Sequence, residues 1–550
     1  MRHQRIGLRR LIETRGVCAL LWDPGLGKTA ATLDYLSLLA LKATPNERGV
    51  REARALVVAP LSAVDTWVLQ AKQWVSPQID YWAEALGGSI IQRAEALASR
   101  GGNPIRKRGA KPLQKRDRAL AERRALHVQR SHAVGIRGNT AKGEPVQRHD
   151  GPGAFDRSRP RLILASLNLD TFSQRREYGS GTTADLLLDA VRRFDPDVIV
   201  VDEMHKIKGA SSNVSRLLDR IGQRVPRRIG LTGTVMPHGP LDVFGQWRFI
   251  APEAFGDKRS NGTRARATLA GFKRRYAEMG GYMGYEVVGY KNLDDMQNIM
   301  AANSHVARKD DELDLPKTRS VTIPVELSSA ERRAYTDMKK HLQATFAQPG
   351  TSTAPNRLAQ MMRLRQITSG YLPDDSGTMR DIGTSKADVI GSIVNDQLAG
   401  ENRVVVFAQF VPEIARLRAK LATKGTTVEV IDGSVKAEER LAIRQRFGDT
   451  AKHPERIVLV AQFKTVSLSV NELVTASHAV FGSLSLQRDD LIQAQDRLNR
   501  MGQKRPVTFW FALVPGSVDA VIYKSHQDRS NLEAAVLDHI QSDAHTPGIL

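Results

Sequence analysis

The residues best suited to chemistry form one short run near the start of the chain. Residues 22–29 read Trp-Asp-Pro-Gly-Leu-Gly-Lys-Thr and lie between an apolar run at 17–21 and a helix-like run at 30–41. A strand, a glycine-rich loop and a helix in that order can cradle phosphate, because the glycines turn N–H groups inward, the lysine reaches the outer phosphates and the threonine hydroxyl ligates Mg²⁺. The residues predicted to bind nucleotide are Gly25, Leu26, Gly27, Lys28 and Thr29. The full phosphate-loop pattern has a further glycine where Trp22 stands, so the match is incomplete.

Two adjacent carboxylates form a second candidate site. Asp202 and Glu203 directly follow an apolar strand at 197–201. Ligands of open parallel sheets bind at the carboxyl ends of the strands, so both side chains are expected to face the nucleotide. There Asp202 would hold Mg²⁺ together with Thr29, and Glu203 would polarise the attacking water. Hydroxyls at 232–234, at the end of another strand, could relay the state of the nucleotide to a neighbouring surface.

A glutamine upstream of the glycine loop could recognise the base. Gln4 lies in a segment whose apolar residues repeat with helical spacing. Its amide both donates and accepts hydrogen bonds, as the edge of adenine requires. The alternative is an exposed glutamine on a helix.

Apolar runs and helical segments alternate along both halves of the chain. Further strands are predicted at 56–60, 162–166, 228–231, 403–407, 428–431 and 457–460, with a helix at 413–421. Such alternation predicts an α/β fold of parallel sheets flanked by helices. Trp67 and Trp74 lie seven residues apart on a predicted helix and indicate a core face.

Composition limits the kind of protein this can be. A chain of 550 residues suits two to four domains, and 41% hydrophobic residues can form substantial cores. The formal net charge of +22 favours a polyanion partner, with nucleic acid first. Cys18 is the only cysteine, which excludes an internal disulfide framework and suits a reducing cytoplasm. No apolar stretch approaches the roughly 18 residues that would span a bilayer.

A basic segment at 101–160 differs from the rest of the chain. It contains 15 Lys and Arg against 5 Asp and Glu, and neither Trp nor Tyr. So little apolar surface predicts a disordered insertion, which would contact the nucleic acid backbone nonspecifically. A solvated loop without a partner is the alternative.

Together these stretches resemble the first motor lobe of a superfamily two helicase, most closely the Swi/Snf-type branch of DNA-dependent ATPases. The resemblance is carried by the glycine loop, by Ala-Pro-Leu-Ser at 59–62, by Asp-Glu-Met-His at 202–205 and by Leu-Thr-Gly-Thr at 231–234. This branch often lacks the first glycine of the loop, as here. Farther along, residues 249–256, 314–317 and 363–370 also resemble the sequence around the helical protrusions of the family.

The run at 493–503 closely resembles the last helicase motif of that family. It reads Gln-Ala-Gln-Asp-Arg-Leu-Asn-Arg-Met-Gly-Gln. The resemblance implies that Arg497 and Arg500 project toward the γ-phosphate bound by the other lobe, and that Gln493 and Gly502 belong to the nucleotide site. Arginine suits that task because its fork of donors is planar and permanently charged.

One region departs from the family pattern. Where the family has a glycine-rich turn, residues 465–471 place Ser467 and Ser469 at the usual glycine positions, and a leucine replaces the usual tryptophan upstream of the last motif. Side chains there would hinder the approach of the backbone to a DNA phosphate. This departure therefore concerns the coupling of hydrolysis to movement rather than hydrolysis itself.

The resemblance implies two RecA-like parallel-sheet lobes in tandem with helical protrusions. The expected domains are lobe 1 at 1–320, with a helical extension at about 240–320, a helical protrusion or linker at 321–384, lobe 2 at 385–535 and a tail at 536–550.

The function implied by the resemblance is ATP- and Mg²⁺-dependent translocation on DNA, duplex more than single-stranded, by a monomeric motor. A compact form of this kind would suit the cytoplasm of a bacterium or of a phage-infected cell. The alternatives are an RNA-directed helicase and a nucleotide-gated DNA-binding scaffold whose motor is uncoupled.

Overall fold

The computed structural model describes residues 1–46, 49–100, 159–174, 177–178, 181–237, 239–281, 284, 286–347, 354–374, 378–466 and 472–528. The expected disordered insertion lies outside these residues up to residue 158, as do the two serines at 467 and 469 and the expected tail. The described chain forms two lobes, each built on a parallel sheet with helices on its faces. The expected α/β class with two parallel-sheet lobes in tandem is confirmed.

The strands of the described chain are numbered in sequence order. They are β1 Val17–Trp22, β2 Glu52–Ala59, β3 Asp80–Ala85, β4 Arg161–Asn168, β5 Glu177–Tyr178, β6 Gly181–Thr182, β7 Val198–Asp202, β8 Arg227–Thr232, β9 Ala277–Gly280, β10 Glu286–Tyr290, β11 Ser304–Ala307, β12 Thr318–Pro324, β13 Tyr371–Pro373, β14 Met379–Asp381, β15 Arg403–Ala408, β16 Thr426–Ile431, β17 Arg456–Gln462, β18 His478–Phe481 and β19 Val507–Leu513.

The α-helices follow the same convention. They are α1 Arg2–Glu13, α2 Lys28–Lys42, α3 Leu61–Trp74, α4 Ile90–Ser99, α5 Thr183–Phe194, α6 Asn213–Gly222, α7 Asp242–Ile250, α8 Leu269–Tyr276, α9 Leu293–Ala302, α10 Lys309–Glu312, α11 Ser329–Ala347, α12 Ala354–Thr368, α13 Ser385–Ser392, α14 Val411–Leu421, α15 Ala437–Gly448, α16 Phe463–Val466, α17 Arg488–Leu498 and α18 Val518–Asp528. Short 3₁₀ turns cover Leu169–Phe172, Met204–Ile207 and Glu472–Thr475, and a π-helical turn covers Ile393–Gln397.

The sheet of lobe 1 has seven strands in the order β11-β1-β8-β7-β2-β4-β3, all paired in parallel. Alternate residues of β1 belong to different cores: Cys18 and Leu20 face the core that contains α2 and α3, whereas Ala19 faces the core that contains α5 and α6. Helices therefore cover both faces, which explains why these strands are continuous apolar runs. The carboxyl ends of β1, β7 and β8, three neighbouring inner strands, lie side by side and carry the candidate site.

The sheet of lobe 2 has six parallel strands in the order β12-β19-β18-β15-β17-β16. Its edge strand β12 precedes the helices α11 and α12. The expected boundary at 320–321 therefore cuts through a strand of lobe 2, and that lobe takes part of its sheet from a segment well before residue 385.

The segment expected as a helical extension of lobe 1 is mixed. It contains α7 to α10, the antiparallel hairpin of β9 and β10, and β11, which is an edge strand of the lobe 1 sheet. Strands β3, β11, β12, β18 and β19 complete the two sheets without having been predicted. Within the described ranges, no helix combines the length and the apolarity that crossing a membrane demands.

Candidate functional site

The glycine loop joins β1 to α2, and its backbone conformation needs glycine at two positions. Gly25 and Gly27 have φ of +88° and +80°, a region that residues with a Cβ rarely adopt. Gly27 is the N-cap of α2 and has no side chain to accept from the first N–H groups of the helix. Those donors, together with the positive end of the helix dipole, form an anion site.

Helix α1 packs on the loop through its first turn. His3 Nε2 donates to the carbonyl oxygen of Leu26 at 2.8 Å, and Gln4 Nε2 donates to the same oxygen at 3.2 Å. A Cβ on Gly27 would lie 2.3 Å from Gln4 Nε2, so the Gln4 side chain packs directly on the loop. Gln4 is thus half-buried against the loop, and the alternative of an exposed helical glutamine is wrong.

Trp22, which stands in place of the first glycine, is fully buried under α1. Its indole N–H donates to His305 Nδ1 at 2.8 Å, and the His3 ring packs edge-on against the indole with centroids 5.2 Å apart. A Cβ on Gly7 of α1 would lie 2.2 Å from the indole. Trp22 therefore serves as the surface on which α1 is seated.

The two carboxylates lie at the end of β7, next to the loop. Glu203 has φ of +51°, an unfavourable backbone conformation for a residue with a side chain, and one that is found at functional sites. Burial, and then the neighbouring charge of Glu203, raise the pKa of Asp202 above its ordinary value. Burial also opposes ionisation of Glu203, but His205 and Lys28 outweigh it and hold its pKa below the usual range. Glu203 is thus ionised at neutral pH.

A tryptophan from α3 supports Asp202. The Trp67 indole N–H donates to Asp202 Oδ2 at 3.0 Å, and the backbone N–H of Glu203 donates to Asp202 Oδ1 at 3.0 Å. Trp67 is 1% exposed, so the predicted core position is confirmed, whereas Trp74 is 42% exposed and lies off that core. The prediction of a core face missed the polar contact that Trp67 makes.

Lys28 lies between the loop and the carboxylates. Its Nζ donates to the carbonyl oxygen of Trp22 at 2.7 Å. Burial lowers the pKa of Lys28, and the charges of Glu203 and Asp202 oppose that shift. The ammonium is therefore held at the loop by acidic neighbours.

The hydroxyls after β8 connect to the carboxylates through a histidine. His205 Nδ1 lies 3.3 Å from Glu203 Oε2 and 3.0 Å from Thr232 Oγ1. Thr232 Oγ1 in turn accepts from the backbone N–H of Thr234 at 3.1 Å. A continuous polar chain thus runs from Glu203 to the loop after β8, as a relay from this site requires.

The arginines of lobe 2 lie against the site of lobe 1. A Cβ on Gly25 would lie 3.5 Å from Arg500 Cβ, so Arg500 covers the loop directly. Burial, and then the charge of Arg500, lower the pKa of Arg497 to about 10, while the charges of Asp496 and Glu203 act against the shift. Arg500 thus packs on the predicted loop, and Arg497 lies close enough to Glu203 of lobe 1 for the two charges to interact.

Gln493 and Gly502 are less closely tied to the loop. Gln493 lies half-buried on α17, and the described residues give it no hydrogen bond to the loop. Gly502 is exposed in a turn with φ of +101°. That turn is held by Gln503, whose Nε2 donates to the carbonyl oxygens of Ala476 and Val474 at 2.9 and 3.1 Å. The end of the motif thus anchors α17 to lobe 2.

Two residues beside the loop have the chemistry of a Mg²⁺ site that is shared with a nucleotide. In the part of the chain that the structure describes, no three His, Cys, Asp or Glu side chains are grouped so as to hold a metal ion. Thr29 lies in the first turn of α2, and Asp202 ends β7. One hydroxyl and one carboxylate fit the way Mg²⁺ is held when phosphates and water supply its other ligands.

Several residues of this site were not predicted from the sequence. Trp67, His3, His305 and Lys309 contact the loop or the carboxylates from distant parts of the chain. Of these, only Trp67 could have been recognised as a site residue from the sequence. It lies on the helix that begins within the run at 59–62, which resembles the family.

Two protein-family models match the chain. The SNF2-related domain matches residues 185–370, and the helicase conserved C-terminal domain matches residues 385–502. The second range contains the arginines that face the glycine loop.

Curated relatives are distant and longer. The bovine DNA annealing helicase and endonuclease ZRANB3 is 24% identical over 66% of this chain and 32% of its own length. An ATP-dependent helicase of Mycoplasma genitalium, MG018, is 24% identical over 69% of this chain and 35% of its own length. The human chromodomain-helicase-DNA-binding protein 6 is 21% identical over 97% of this chain and 17% of its own length. The chain thus spans about a third or less of these relatives.

Among solved structures, the SWI2/SNF2 ATPase core of Sulfolobus solfataricus in complex with dsDNA matches 95% of this chain and 89% of its own. The sequence identity is 17% and the TM-score 0.34.

Proposed function

Because this chain belongs to the SNF2-related family of helicase-like proteins, we propose that it is a DNA-dependent ATP hydrolase that moves along duplex DNA. One observation carries the proposal: the glycine loop of lobe 1 and Arg500 of lobe 2 meet across the lobes. A site built from both lobes is complete only when they are closed, so ATP binding favours closure and hydrolysis releases it. Repeated closure against a DNA backbone gives movement along it.

Each residue predicted to act in catalysis or to hold Mg²⁺ has a role in this proposal. The loop, with Lys28, binds the phosphates, and Glu203 orients the attacking water. Arg497 and Arg500 stabilise the charge that develops on the γ-phosphate, an effect of roughly 10³ to 10⁵ in rate for arginines so placed. Thr29 and Asp202 would hold Mg²⁺, which would neutralise negative charge on the phosphates.

Duplex DNA is the proposed partner because the net charge of +22 favours a polyanion. The names of relatives such as the bovine annealing helicase also refer to DNA. We further propose a monomeric motor that tracks duplex without separating its strands. Its proposed place of action is the bacterial or phage-infected cytoplasm, which the Mycoplasma helicase supports.

The test is ATP hydrolysis by the full chain alone, with duplex DNA and with RNA. Stimulation by duplex DNA is the expected result. Stimulation by RNA only would favour the RNA-directed helicase, and no hydrolysis under any condition would overturn the enzyme proposal in favour of a nucleotide-gated scaffold.

A matched variant separates chemistry from binding. Glu203→Gln keeps the shape of the side chain but removes the charge that orients water, so it should bind ATP normally and lose most of its turnover. Unchanged turnover would remove Glu203 from the reaction.

A further inference from the structure

A lysine at the end of lobe 1 reaches into the last helix of the site in lobe 2. Lys309, the first residue of α10, is 7% exposed. Its Nζ forms an ion pair with the carboxylate of Asp496 and donates to the carbonyl oxygen of Asn499 at 3.0 Å. Both partners lie on or directly after α17, the helix that carries Arg497.

The backbone of the same lysine is fixed to the glycine loop. The N–H of Lys309 donates to Asp23 Oδ2 at 2.9 Å, and the N–H of Asp23 donates to the carbonyl oxygen of Ala307 at 3.1 Å. A Cβ on Gly25 would lie 3.7 Å from Lys309 Cε, so the side chain passes over the loop on its way to lobe 2. Lys309 therefore contacts the phosphate loop and the arginine helix at once.

The partner carboxylate lies next to Arg497 in sequence. Burial raises the pKa of Asp496, and the charge of Lys309 and its hydrogen bond oppose that shift. Without Lys309 the carboxylate would lose a cation in a buried place, where an unpaired charge is strongly unfavourable. The pair thus ties the orientation of α17 to the loop that it faces.

We propose that Lys309 is a positioning residue that, through Asp496, holds α17 against the glycine loop so that Arg497 and Arg500 face the γ-phosphate. This inference rests on the proposed function, because it assigns Lys309 to the same site. It predicts that the pair acts on the rate of hydrolysis more than on nucleotide binding, since the binding loop belongs to lobe 1 alone.

Another ion pair shows what a purely structural role looks like. Lys386 and Asp519 also form a buried pair, but both belong to lobe 2, with side chains 2% and 3% exposed. Lys386→Met should lower the melting temperature of the protein. Lys309→Met should lower kcat of the folded protein whatever its effect on the melting temperature, because its partner Asp496 lies beside the arginines of the site.

The first experiment is a double-mutant cycle measured as DNA-stimulated hydrolysis. Lys309→Met and Asp496→Asn should each lower kcat by roughly tenfold or more, with KM for ATP changed by less than about threefold, because each leaves one buried charge unpaired. The double variant should be no slower than the slower single variant. Lys420→Met is the control, because it breaks an exposed pair with Asp388 on lobe 2 and should leave kcat unchanged. Full additivity, or normal kcat in Lys309→Met, would overturn the inference.

A second measurement does not depend on hydrolysis. Spin labels at Leu69→Cys of lobe 1 and Leu441→Cys of lobe 2 occupy exposed positions, while the native Cys18 is fully buried. With a nonhydrolysable ATP analogue and duplex DNA, Lys309→Met should show a longer and broader label distance than the otherwise identical labelled protein. If the parent protein hydrolyses no ATP, the proposed function fails, yet this shift would still support the link. An identical distance distribution in both proteins would overturn it.

Discussion

Two buried tryptophans hold the residues of the site from behind. Trp22 carries α1, and Trp67 donates its indole N–H to Asp202. Each fills core space and makes one directed hydrogen bond, as buried indoles usually do. The loop and Asp202 are therefore supported by side chains of the core behind them.

Lys28→Ala tests the phosphate loop. The change removes the buried ammonium beside Asp202 and Glu203, so turnover should fall by about 10³ or more. Hydrolysis and DNA binding are measured on the same preparation, and DNA binding is expected to persist. Turnover within a few-fold of normal would show that the loop does not bind ATP in this way.

Trp67→Phe tests the support of Asp202. Phenylalanine retains the ring but loses the donor, and loss of such an outer partner typically weakens metal affinity or activity by roughly 10- to 100-fold. The Mg²⁺ concentration for half-maximal hydrolysis should rise accordingly. Trp74→Phe, on the same helix but exposed, is the control and should behave like the parent protein. Equal Mg²⁺ dependence in both variants would contradict the role of Trp67.

Local spacing and distant contacts differ in how well the sequence predicts them. The loop at 25–29 and the carboxylates at 202–203 were predicted because each is a compact pattern beside a strand. The contacts of Trp67 with Asp202 and of Lys309 with Asp496 join residues 135 and 187 positions apart. The sequence around Trp67 or Lys309 does not predict the partner, because only the fold brings the two residues of each pair together.

Helix α1 packs on the glycine loop and holds it in place. Its first turn donates twice to the carbonyl oxygen of Leu26, and Gly7 lets it approach Trp22 closely. His3 Nδ1 also lies 3.3 Å from Glu312 Oε2 of α10, so α1 contacts the glycine loop on one side and α10 on the other. The loop thus owes its position to elements at both ends of lobe 1.

Gly7→Ala tests the close packing of α1 on Trp22. Alanine normally favours a helix over glycine, but its Cβ would overlap the Trp22 indole, and overpacking of this kind costs about 1–3 kcal/mol. The melting temperature should fall, and KM for ATP should rise several-fold because Gln4 moves away from the loop. Gly87→Ala, where a Cβ meets nothing within 4 Å, is the control. A stabilised protein with normal KM would show that α1 is not seated as described.

Central and edge strands also differ in how predictable they are. The central strands β2, β7 and β15 are continuous buried runs and were found from apolarity alone. The edge strands β3 and β12 are only partly buried along their length and read as mixed sequence. Strand β19, by contrast, is a largely apolar run. It could have been predicted from apolarity but was missed.

At the scale of the whole molecule, charge is distributed unevenly. Of the formal net charge of +22, the basic segment at 101–160 contributes 15 positive against 5 negative residues. The prediction that it contacts nucleic acid concerns residues outside the described ranges and stays a prediction.

Deleting residues 101–158 tests that prediction. If the segment neutralises DNA phosphates, the affinity for duplex DNA should fall and the dependence of log K on log salt should flatten, by about 0.9 for each phosphate that is no longer neutralised. Basal hydrolysis should remain, since the two lobes still meet at the glycine loop. An unchanged salt slope would favour the solvated loop without a partner.

Each sheet places an early strand beside a late one, and this sets the order in which the protein can fold during its synthesis. Strand β1 lies between β8 and β11, so lobe 1 completes its sheet only after residue 307 has left the ribosome. In the described sheet, strand β12 pairs with β19 alone. It can therefore join the sheet of lobe 2 only after residue 513 has been synthesised. Long-range parallel pairing is slow and exposes unpaired edges meanwhile. The nascent chain therefore passes through a stage in which every strand of the lobe 1 sheet has been made while the lobe 2 sheet still lacks its last strand.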